Sequence, residues 1–539
     1  MTEITSLRPL AAVLVSVVAI APILASGSRP NLREGWTLLA SVLTLGLVGS
    51  MVPGAIAGDV YVTTLSTFVP GVSLALRADA LGVLFALLAS TLWLAASFYS
   101  IGYMRGLGEH SQTRYFAAFA GSIASAIAVA FAANLVVLYL AYELLTVATY
   151  PLVVHDETDA ARAAGRKYLA YTFGGGVAVL AGVVLVYHAT GTTAFAPGGI
   201  GGLATADPTL ARAAFGLLIT GFGVKAALMP LHSWLPDAMV APTPVSGLLH
   251  AVAVVKSGVF GIARVLLDVY GIDLVAHLNV GMAVAVVAAI TLIVASVIAL
   301  RQDNLKRRLA FSTVSQLSYI VLGLAVGAAT PGADATKWAL IGGLLHIPAH
   351  AFMKLTLFFC AGALHVETHT DDISDMAGIG KRMPLTMTAF AVAAAGMAGI
   401  PLVAGFVSKY FLLIGTVTGG HLVFTAALLV SGVLNIAYFW PVVYTAFFES
   451  QGDSDEKPLV SGALGGRLAG HTRADGGHGG GGFERRAVSG AEGSWFLIGP
   501  VVFAAFGSIV LGVIPDTAVF LSLVRTVVDT ATAMGVVGV

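Results

Sequence analysis

The sequence predicts an all-α polytopic membrane protein with about 14 transmembrane helices, and three observations carry this prediction. Of the 539 residues, 57% are hydrophobic and only 10% are charged, whereas soluble domains carry about 25% charged residues. Apolar stretches of about 20 residues, the length that spans a bilayer, recur between short polar turns. The 63 glycines also suit the close packing of helices in lipid.

Each predicted helix is centred on one apolar stretch. The first stretch lacks an obvious cleavage site, so we expect a retained helix rather than a signal peptide. Most of the 28 Lys and Arg residues fall in odd-numbered loops, which the positive-inside rule places in the cytoplasm, with both termini outside. The fourteen centres lie near Val17, Leu45, Leu88, Ala124, Leu144, Ala178, Leu217, Val252, Val286, Ile320, Leu345, Ala395, Leu428 and Phe503.

Composition also excludes several classes of protein. Lys and Arg together number 28, as do Asp and Glu, so no net charge attracts a nucleic acid. One cysteine, Cys360, excludes a disulfide framework, a Cys-ligated iron–sulfur cluster and a thiolate zinc site. The Gly-rich polar loop at 449–494 contains His471 and His478 without metal-ligand spacing, and we interpret it as a solvated linker. We expect no cofactor and no bound metal.

A few ionisable residues lie within the predicted helices. Each charged side chain at mid-membrane costs about 2.5–3.5 kcal/mol on insertion scales, and such residues mark ion or proton paths by default. His346, His350 and Lys354 recur every four residues and therefore share one helix face. The complete candidate set is Glu143, Lys225, His250, Lys256, His346, His350, Lys354 and Lys409.

Each candidate also has a structural interpretation. Glu143 and Lys225 could form a static buried pair that locks two helices together. His250 could hydrogen-bond a neighbouring helix, and either His346 or His350 alone could be structural. Lys409 could extend to the membrane interface.

The motif Gly-Phe-x-x-Lys occurs twice, ending at Lys225 and at Lys409. Pro230 follows the first lysine and Pro401 precedes the second. Proline removes a backbone hydrogen bond and breaks or kinks a helix, and in lipid the freed carbonyls must face protein or water. Paired interrupted helices in corresponding halves of a chain indicate the ion sites of transporters.

Several strings together are typical of one family. They are Tyr142-Glu-Leu-Leu, Gly221-Phe-Gly-Val-Lys, Pro230-Leu-His-Ser-Trp-Leu-Pro-Asp-Ala238, Leu249-His through Lys256-Ser-Gly258, Leu309-Ala-Phe-Ser-Thr-Val-Ser-Gln316, His346 through Lys354, and Gly399-Ile-Pro through Lys409. From about 114 to 449 the chain resembles the antiporter-like subunits of Mrp-type multisubunit Na⁺/H⁺ antiporters, of the membrane arm of respiratory complex I, and of membrane-bound energy-converting hydrogenases.

The resemblance implies 14 helices with broken helices 7 and 12. It implies N-terminal helices 1–3 at 1–113, two inverted five-helix repeats at 114–267 and 272–448, and helix 14 with a C-terminal tail at 495–539. One complex I subunit type has Glu where this chain has Lys409, so the D-type Mrp subunit or its hydrogenase-associated relative is the better match. The implied setting is the plasma membrane of a prokaryote, with other membrane subunits and lipid as partners.

The resemblance also implies that Glu143 pairs with Lys225, that Lys256 is the central proton relay and that Lys409 is the terminal one. Our hypothesis for the route makes Glu143 the gate and Lys225 the first proton store. Lys256, with His250, then passes the proton laterally. His346, His350 and Lys354 carry it across the repeat boundary, and Lys409 delivers it to the outer side or takes it up there.

Four functions compete on this basis. The leading hypothesis is a proton-translocating subunit of a Na⁺/H⁺ antiporter. The second is the pumping subunit of a hydrogenase or quinone oxidoreductase, whose redox centres would lie in partner subunits because this chain has one cysteine. A lone solute transporter is disfavoured because a solute site needs no row of cations, and a static scaffold is the last alternative.

Overall fold

The computed structural model describes residues 2–330, 333–449, 492–516 and 519–533, and most of them are helical. Within these ranges, eleven helices are long and apolar enough to cross a membrane, and two shorter apolar helices lie at Pro384–Ala398 and Ala404–Thr418. Each of the fourteen predicted centres falls in a helical segment. The polytopic helical fold is thus confirmed, and the count of 14 spans stays a prediction.

The longer helices follow the apolar stretches of the sequence. They are α1 (Arg8–Ala25), α2 (Pro30–Gly49), α4 (Ala80–Gly106), α5 (Gln112–Ala130), α6 (Leu135–Val153), α7 (Asp159–Thr190), α9 (Pro208–Lys225), α12 (Val254–Arg264), α14 (Gly281–Leu300), α15 (Leu305–Ala329), α16 (Ala333–Thr368), α18 (Pro384–Ala398), α19 (Ala404–Thr418), α20 (Leu422–Phe448), α21 (Trp495–Val513) and α22 (Val519–Ala533).

Short helices connect these elements. They are α3 (Val52–Ile56), α8 (Gly201–Ala204), α10 (Trp234–Asp237), α11 (Thr243–Gly247), α13 (Gly271–His277) and α17 (Ile379–Arg382). Two π-helical segments, Leu248–Val252 and Val265–Val269, flank α12. Such segments widen a helix locally and occur frequently at functional sites.

A three-stranded sheet joins the N-terminal helices. Its strands are β1 (Glu3–Thr5), β2 (Val60–Val69) and β3 (Val72–Ala78), in the order β1-β2-β3. β1 runs parallel to β2, and β2 runs antiparallel to β3. The prediction of an all-α chain is confirmed for the membrane helices, but it missed this sheet. The sequence of β2 is rich in β-branched residues, which favour strands.

Both predicted helix breaks are present. α9 ends at Lys225, the Met229–Pro230 bond is cis, and helix resumes only at Trp234. α18 ends at Ala398, and α19 begins at Ala404. Gly399 between them has φ +94°, a conformation that glycine adopts at low cost.

The helices form a buried centre and a lipid-facing periphery. The apolar windows of α15 and α16 are fully buried, whereas α1, α2 and α20 leave most of theirs at the surface. The candidate lysines lie in the buried part. The inverted repeats at 114–267 and 272–448 stay predictions, and residues 450–491 of the predicted polar loop lie outside the described residues.

Arg264, at the end of α12, is held by two carboxylates. Its guanidinium donates to Asp79 through Nη1 and Nη2 and to Asp268 through Nη1, each at 2.7 Å. Arg264 is 1% exposed. Asp79 also caps α4, because its Oδ1 accepts from the Gly82 amide at 2.8 Å. This network ties the start of α4 to the end of α12.

Candidate functional site

The predicted lysines are all inside the protein. Lys225, Lys256 and Lys354 are 0% exposed, and Lys409 is 9% exposed. The burial of Lys409 and the bond from its amine to the Met397 carbonyl argue against the alternative in which this amine extends to the membrane interface. His250, His346 and His350 are likewise buried. Each of these ionisable groups therefore carries the free-energy cost of lying in the protein interior.

Glu143 lies on α6 and is half-buried, with its carboxylate directed at α7. The carboxylate lies against Gly176, where a Cβ atom would collide with it. Among the described residues, its buried Oε1 atom has no hydrogen-bond partner. No hydrogen bond therefore fixes this oxygen in one position.

Lys225 ends α9 and contacts the residue that precedes Glu143. Its Nζ atom donates to the Tyr142 carbonyl oxygen at 2.5 Å and lies 3.4 Å from the centroid of the Tyr142 ring. Among the described residues, Lys225 and Glu143 form no ion pair within 4.0 Å. In this conformation the ammonium is satisfied by the backbone and ring of Tyr142, and the pairing of Glu143 with Lys225 stays a prediction.

The break after Lys225 leaves backbone carbonyls that need partners. Trp234 Nε1 donates to the Val224 carbonyl at 2.9 Å, and the Tyr142 hydroxyl donates to the Gly221 carbonyl at 3.1 Å. The freed carbonyls therefore face protein, as the rule for helices in lipid requires. Tyr142 holds both the end of α9 and the lysine that it carries.

Lys256 pairs with a histidine of another helix. Its Nζ atom lies 2.8 Å from His350 Nδ1 on α16. His250 packs on the Phe358 ring at 4.8 Å between centroids, and neither of its ring nitrogens has a hydrogen-bond partner among the described residues. This conformation therefore shows no hydrogen bond from His250 to Lys256 or to a neighbouring helix, and the joint role of Lys256 and His250 stays a prediction.

His346 connects α16 to two further helices. Its Nδ1 atom lies 2.8 Å from Ser408 Oγ on α19, and its Nε2 atom lies 3.0 Å from Gln316 Oε1 on α15. The rings of His346 and His350 are 6.1 Å apart between centroids. Since Ser408 directly precedes Lys409, His346 leads toward the last lysine.

Lys354 turns toward α15. Its Nζ atom donates to the Leu309 carbonyl at 2.8 Å and to the Ser312 hydroxyl. The Phe439 ring centroid lies 5.7 Å away. Lys354 thus shares the helix face of His346 and His350, as predicted.

Lys409 binds the end of the broken helix in front of it. Its Nζ atom donates to the Met397 carbonyl at 2.5 Å and lies 4.6 Å from the Tyr319 ring centroid. Asn435 Nδ2 donates to the same carbonyl at 3.0 Å. Lys225 and Lys409 therefore share one arrangement, in which a lysine next to a helix break binds a backbone carbonyl and a tyrosine ring.

Sequence patterns do not identify several partners of these groups. Tyr142, Gln316, Ser408 and Tyr319 each reach their lysine or histidine from another helix. For α15, the spacing of its polar residues could have indicated these partners. Gln316 lies four residues after Ser312 and three before Tyr319, so the three side chains share one face of an apolar helix.

The groups form a series across four helices. α9 and α12 touch at Gly258, where an added Cβ atom would lie 2.7 Å from the Lys225 carbonyl carbon. α12 meets α16 at Lys256 and His350, and α16 meets α19 at His346 and Ser408. Lysine amines, imidazoles and hydroxyls can each hold or pass a proton, so the arrangement provides the parts of a relay.

The chain matches a protein family over most of this region. The model described as "NADH:quinone oxidoreductase/Mrp antiporter, TM" matches residues 132–435. All eight candidate residues, from Glu143 to Lys409, lie within this match.

The relatives of this chain include subunits named as quinone oxidoreductase subunits and subunits named as antiporter subunits. "NADH-quinone oxidoreductase subunit N" of Desulforudis audaxviator is 33% identical over 80% of this chain and 85% of the relative. "Putative antiporter subunit mnhA2" of Staphylococcus haemolyticus is 30% identical over 78% of this chain and 54% of the relative. "NADH-quinone oxidoreductase subunit L" of Escherichia coli is 34% identical over 65% and 55%. The chain thus spans about half the length of the last two.

Two solved structures have the same fold. A chain of the Mrp complex from Dietzia sp. DQ12-45-1b superposes with a TM-score of 0.79 over 96% of both chains. A chain of the archaeal membrane-bound sulfane sulfur reductase superposes with a TM-score of 0.78 over 98% of both chains. Both are 22% identical to this chain, and the similarity establishes the fold.

Proposed function

The chain belongs to the NADH:quinone oxidoreductase/Mrp antiporter membrane family, and on this premise we propose that it is the proton-translocating membrane subunit of a multisubunit antiporter that exchanges H⁺ for a monovalent cation, Na⁺. The observation that carries the proposal is the buried series of Lys225, Lys256, Lys354 and Lys409 with interposed histidines. Four such amines would cost on the order of 10 kcal/mol without compensation, and their place in the interior argues for a use in moving charge.

Glu143 acts as the gate in this proposal, by moving rather than by standing as a fixed partner. At about 4 Å and an effective dielectric of about 20, a carboxylate and an ammonium attract by about 4 kcal/mol. Movement of the Glu143 carboxylate from Gly176 toward Lys225 would therefore strengthen the hold of that lysine on its proton. Movement away would release it.

The proton then passes along the contacts of the buried series. Lys225 delivers it to Lys256, and Lys256 passes it to His350. His346 and Ser408 carry it to Lys409, which exchanges it with the outer side. Lys354 and Ser312 form a side branch toward α15, and His250 adds a further buried imidazole beside this branch.

We predict that Gly176→Ala lowers proton transport severalfold, because the added methyl group would occupy the position in which the Glu143 carboxylate now lies. The added methyl group would displace the Glu143 carboxylate from its present position. Gly174→Ala on the same helix is the matched control, since nothing lies within 4 Å of a Cβ atom there. The measurement is the rate at which a pH-sensitive dye responds in vesicles that contain each variant. Equal rates for the two variants would contradict the role of Glu143 as the gate.

We predict that Lys409→Ala blocks proton exchange with one side of the membrane only. Lys409 is the terminal amine of the series, so Lys225 and Lys256 would still exchange with the other side. A pH jump applied separately to each face of oriented vesicles, with a dye inside or outside, measures the two exchanges. Symmetrical loss, or no loss, would contradict the terminal position of Lys409.

A second candidate is the proton-pumping membrane subunit of a redox complex. The long match to the quinone oxidoreductase relative and the similarity to a chain of the sulfane sulfur reductase favour it. Cys360 is the only cysteine, so electron transfer would take place in other subunits. The buried series would serve either function.

Purification of the native complex from the membrane decides between the two. The antiporter proposal expects other membrane subunits, no iron–sulfur or nickel protein, and H⁺ movement driven by a Na⁺ gradient without any electron donor. Co-purifying redox subunits, together with H⁺ movement that requires an electron donor, would establish the second candidate instead.

A further inference from the structure

Two turns at one end of the protein bring three metal-binding side chains together. Glu109 and His110 lie in the turn between α4 and α5, and His155 lies two residues after the end of α6. One potential ligand atom from each residue lies within 4.8 Å of those from the other two. These turns are odd-numbered loops, which the distribution of Lys and Arg predicts to be cytoplasmic.

The Glu109 carboxylate lies between the two imidazoles. Its Oε2 atom is 3.8 Å from His110 Nδ1 and 3.9 Å from His155 Nε2. Both distances exceed those of a hydrogen bond. The rings of His110 and His155 lie 4.8 Å apart between centroids, so the space among the three groups is bounded by three potential ligands.

His155 lacks the partners that a buried imidazole needs. Its side chain is 0% exposed, and neither ring nitrogen has a hydrogen-bond partner of good geometry in the part of the chain that the structure describes. A buried polar group without a partner costs about 1–3 kcal/mol. Its Nε2 atom faces the Glu109 carboxylate, so a cation between the two would satisfy both.

The neighbouring charge does not oppose a cation here. Arg114 donates to the His155 carbonyl oxygen at 3.1 Å, and its guanidinium is ion-paired with Glu157 at 2.5 Å. The positive charge of Arg114 is therefore largely neutralised by Glu157. His110, with 51% of its side chain exposed, leaves the cluster open to solvent.

We propose that Glu109, His110 and His155 form a binding site for Zn²⁺. Two imidazoles and one carboxylate are a known zinc ligand set, with water completing a tetrahedron. Zinc bonds of about 2.0–2.2 Å place tetrahedral ligand atoms about 3.3–3.5 Å apart. The two distances to Glu109 must therefore shorten by only about 0.5 Å, and rotation of the exposed His110 side chain closes the remaining gap.

The site would join the end of α6 to the turn between α4 and α5. No sequence pattern indicates this site, because all of α5 and α6 separate Glu109 and His110 from His155. The proposal is independent of the proposed transport function, because it concerns metal binding alone.

The test is Zn²⁺ binding by the full chain, purified in detergent without a histidine tag. Equilibrium dialysis with metal analysis is expected to find Zn²⁺ bound at this site, and Co²⁺ in its place is expected to give the visible absorption of a four-coordinate ion. His155→Ala and His110→Ala are each expected to weaken binding by at least about 100-fold. Because His110 is half exposed, its variant does not depend on the tolerance of the buried position.

Two controls separate this site from other histidines. His277→Ala removes a histidine outside the cluster, and a variant with both His471→Ala and His478→Ala removes those of the Gly-rich loop. Both are expected to retain the binding that His110→Ala loses. Absence of Zn²⁺ binding, or binding that is unchanged in both His110→Ala and His155→Ala, would overturn the proposal.

Discussion

Replacement of Lys225 by alanine is expected to abolish proton transport while the chain still inserts and assembles. Lys225 is 0% exposed, and its ammonium is held by the Tyr142 carbonyl and ring rather than by an ion pair. Within the described ranges, no carboxylate is in direct contact with this ammonium, so the alanine variant does not leave a buried carboxylate that has lost its counterion. The cost to the stability of the fold is therefore limited. The same residue is the first proton store, so the loss of function is expected to be complete.

The measurement compares Lys225→Ala with Lys337→Ala in reconstituted vesicles of the assembled complex. Lys337 is a surface residue whose amine pairs with Asp529 at 3.2 Å, and exposed pairs of this kind contribute about 0–1 kcal/mol. The Lys337 variant is therefore expected to transport at the normal rate. Full transport by Lys225→Ala, with normal assembly, would remove Lys225 from the route.

Glu143→Ala is expected to give the same loss as Lys225→Ala, because both act in one gate. The carboxylate is half-buried and makes no ion pair among the described residues, so its role is not structural in this conformation. Full transport by the Glu143→Ala variant would contradict the role of Glu143 as the gate for Lys225.

Arg264→Met is expected to destabilise the protein by about 3–5 kcal/mol, the cost of breaking a buried ion pair from one side. Arg264 is 1% exposed and donates three hydrogen bonds of 2.7 Å to Asp79 and Asp268. The methionine fills similar space and leaves both carboxylates without their main cation. The effect should appear as a large drop in the thermal unfolding temperature in detergent.

Arg525→Met provides the matched control for this prediction. The Arg525 guanidinium pairs with Asp516 at 2.6 Å on the surface, where both side chains are about half exposed or more. We expect a change of about 0–1 kcal/mol there. Equal unfolding temperatures for the two variants would contradict a stabilising role for the Arg264 network.

The sequence predicted which groups would be buried, but it did not predict their partners. An apolar stretch long enough to span the bilayer places Lys225 or Lys409 inside it, whatever the neighbouring helices are. The partner depends on packing between helices: Lys256 meets His350 on α16 rather than His250, which lies six residues before it. No periodicity within one helix contains that information.

Local patterns also missed features that arise from distant segments. The three-stranded sheet needs β1 at the N-terminus beside β2, more than fifty residues later. Glu109 and His155 come together only when α5 and α6 pack against each other. Pro401 and the Gly-Phe-x-x-Lys repeat, in contrast, act through the backbone itself, and the break before Lys409 lies where the sequence predicts it.

Proton flux through the complex with Lys256→Met tests the central idea most directly. Lys256 is the buried link between the Lys225 helix and the histidines of α16, and its amine lies 2.8 Å from His350. A membrane pH indicator in vesicles that contain the assembled complex is expected to show no flux above that of vesicles without protein. Normal flux through a correctly assembled Lys256→Met complex would show that protons take another way through the membrane.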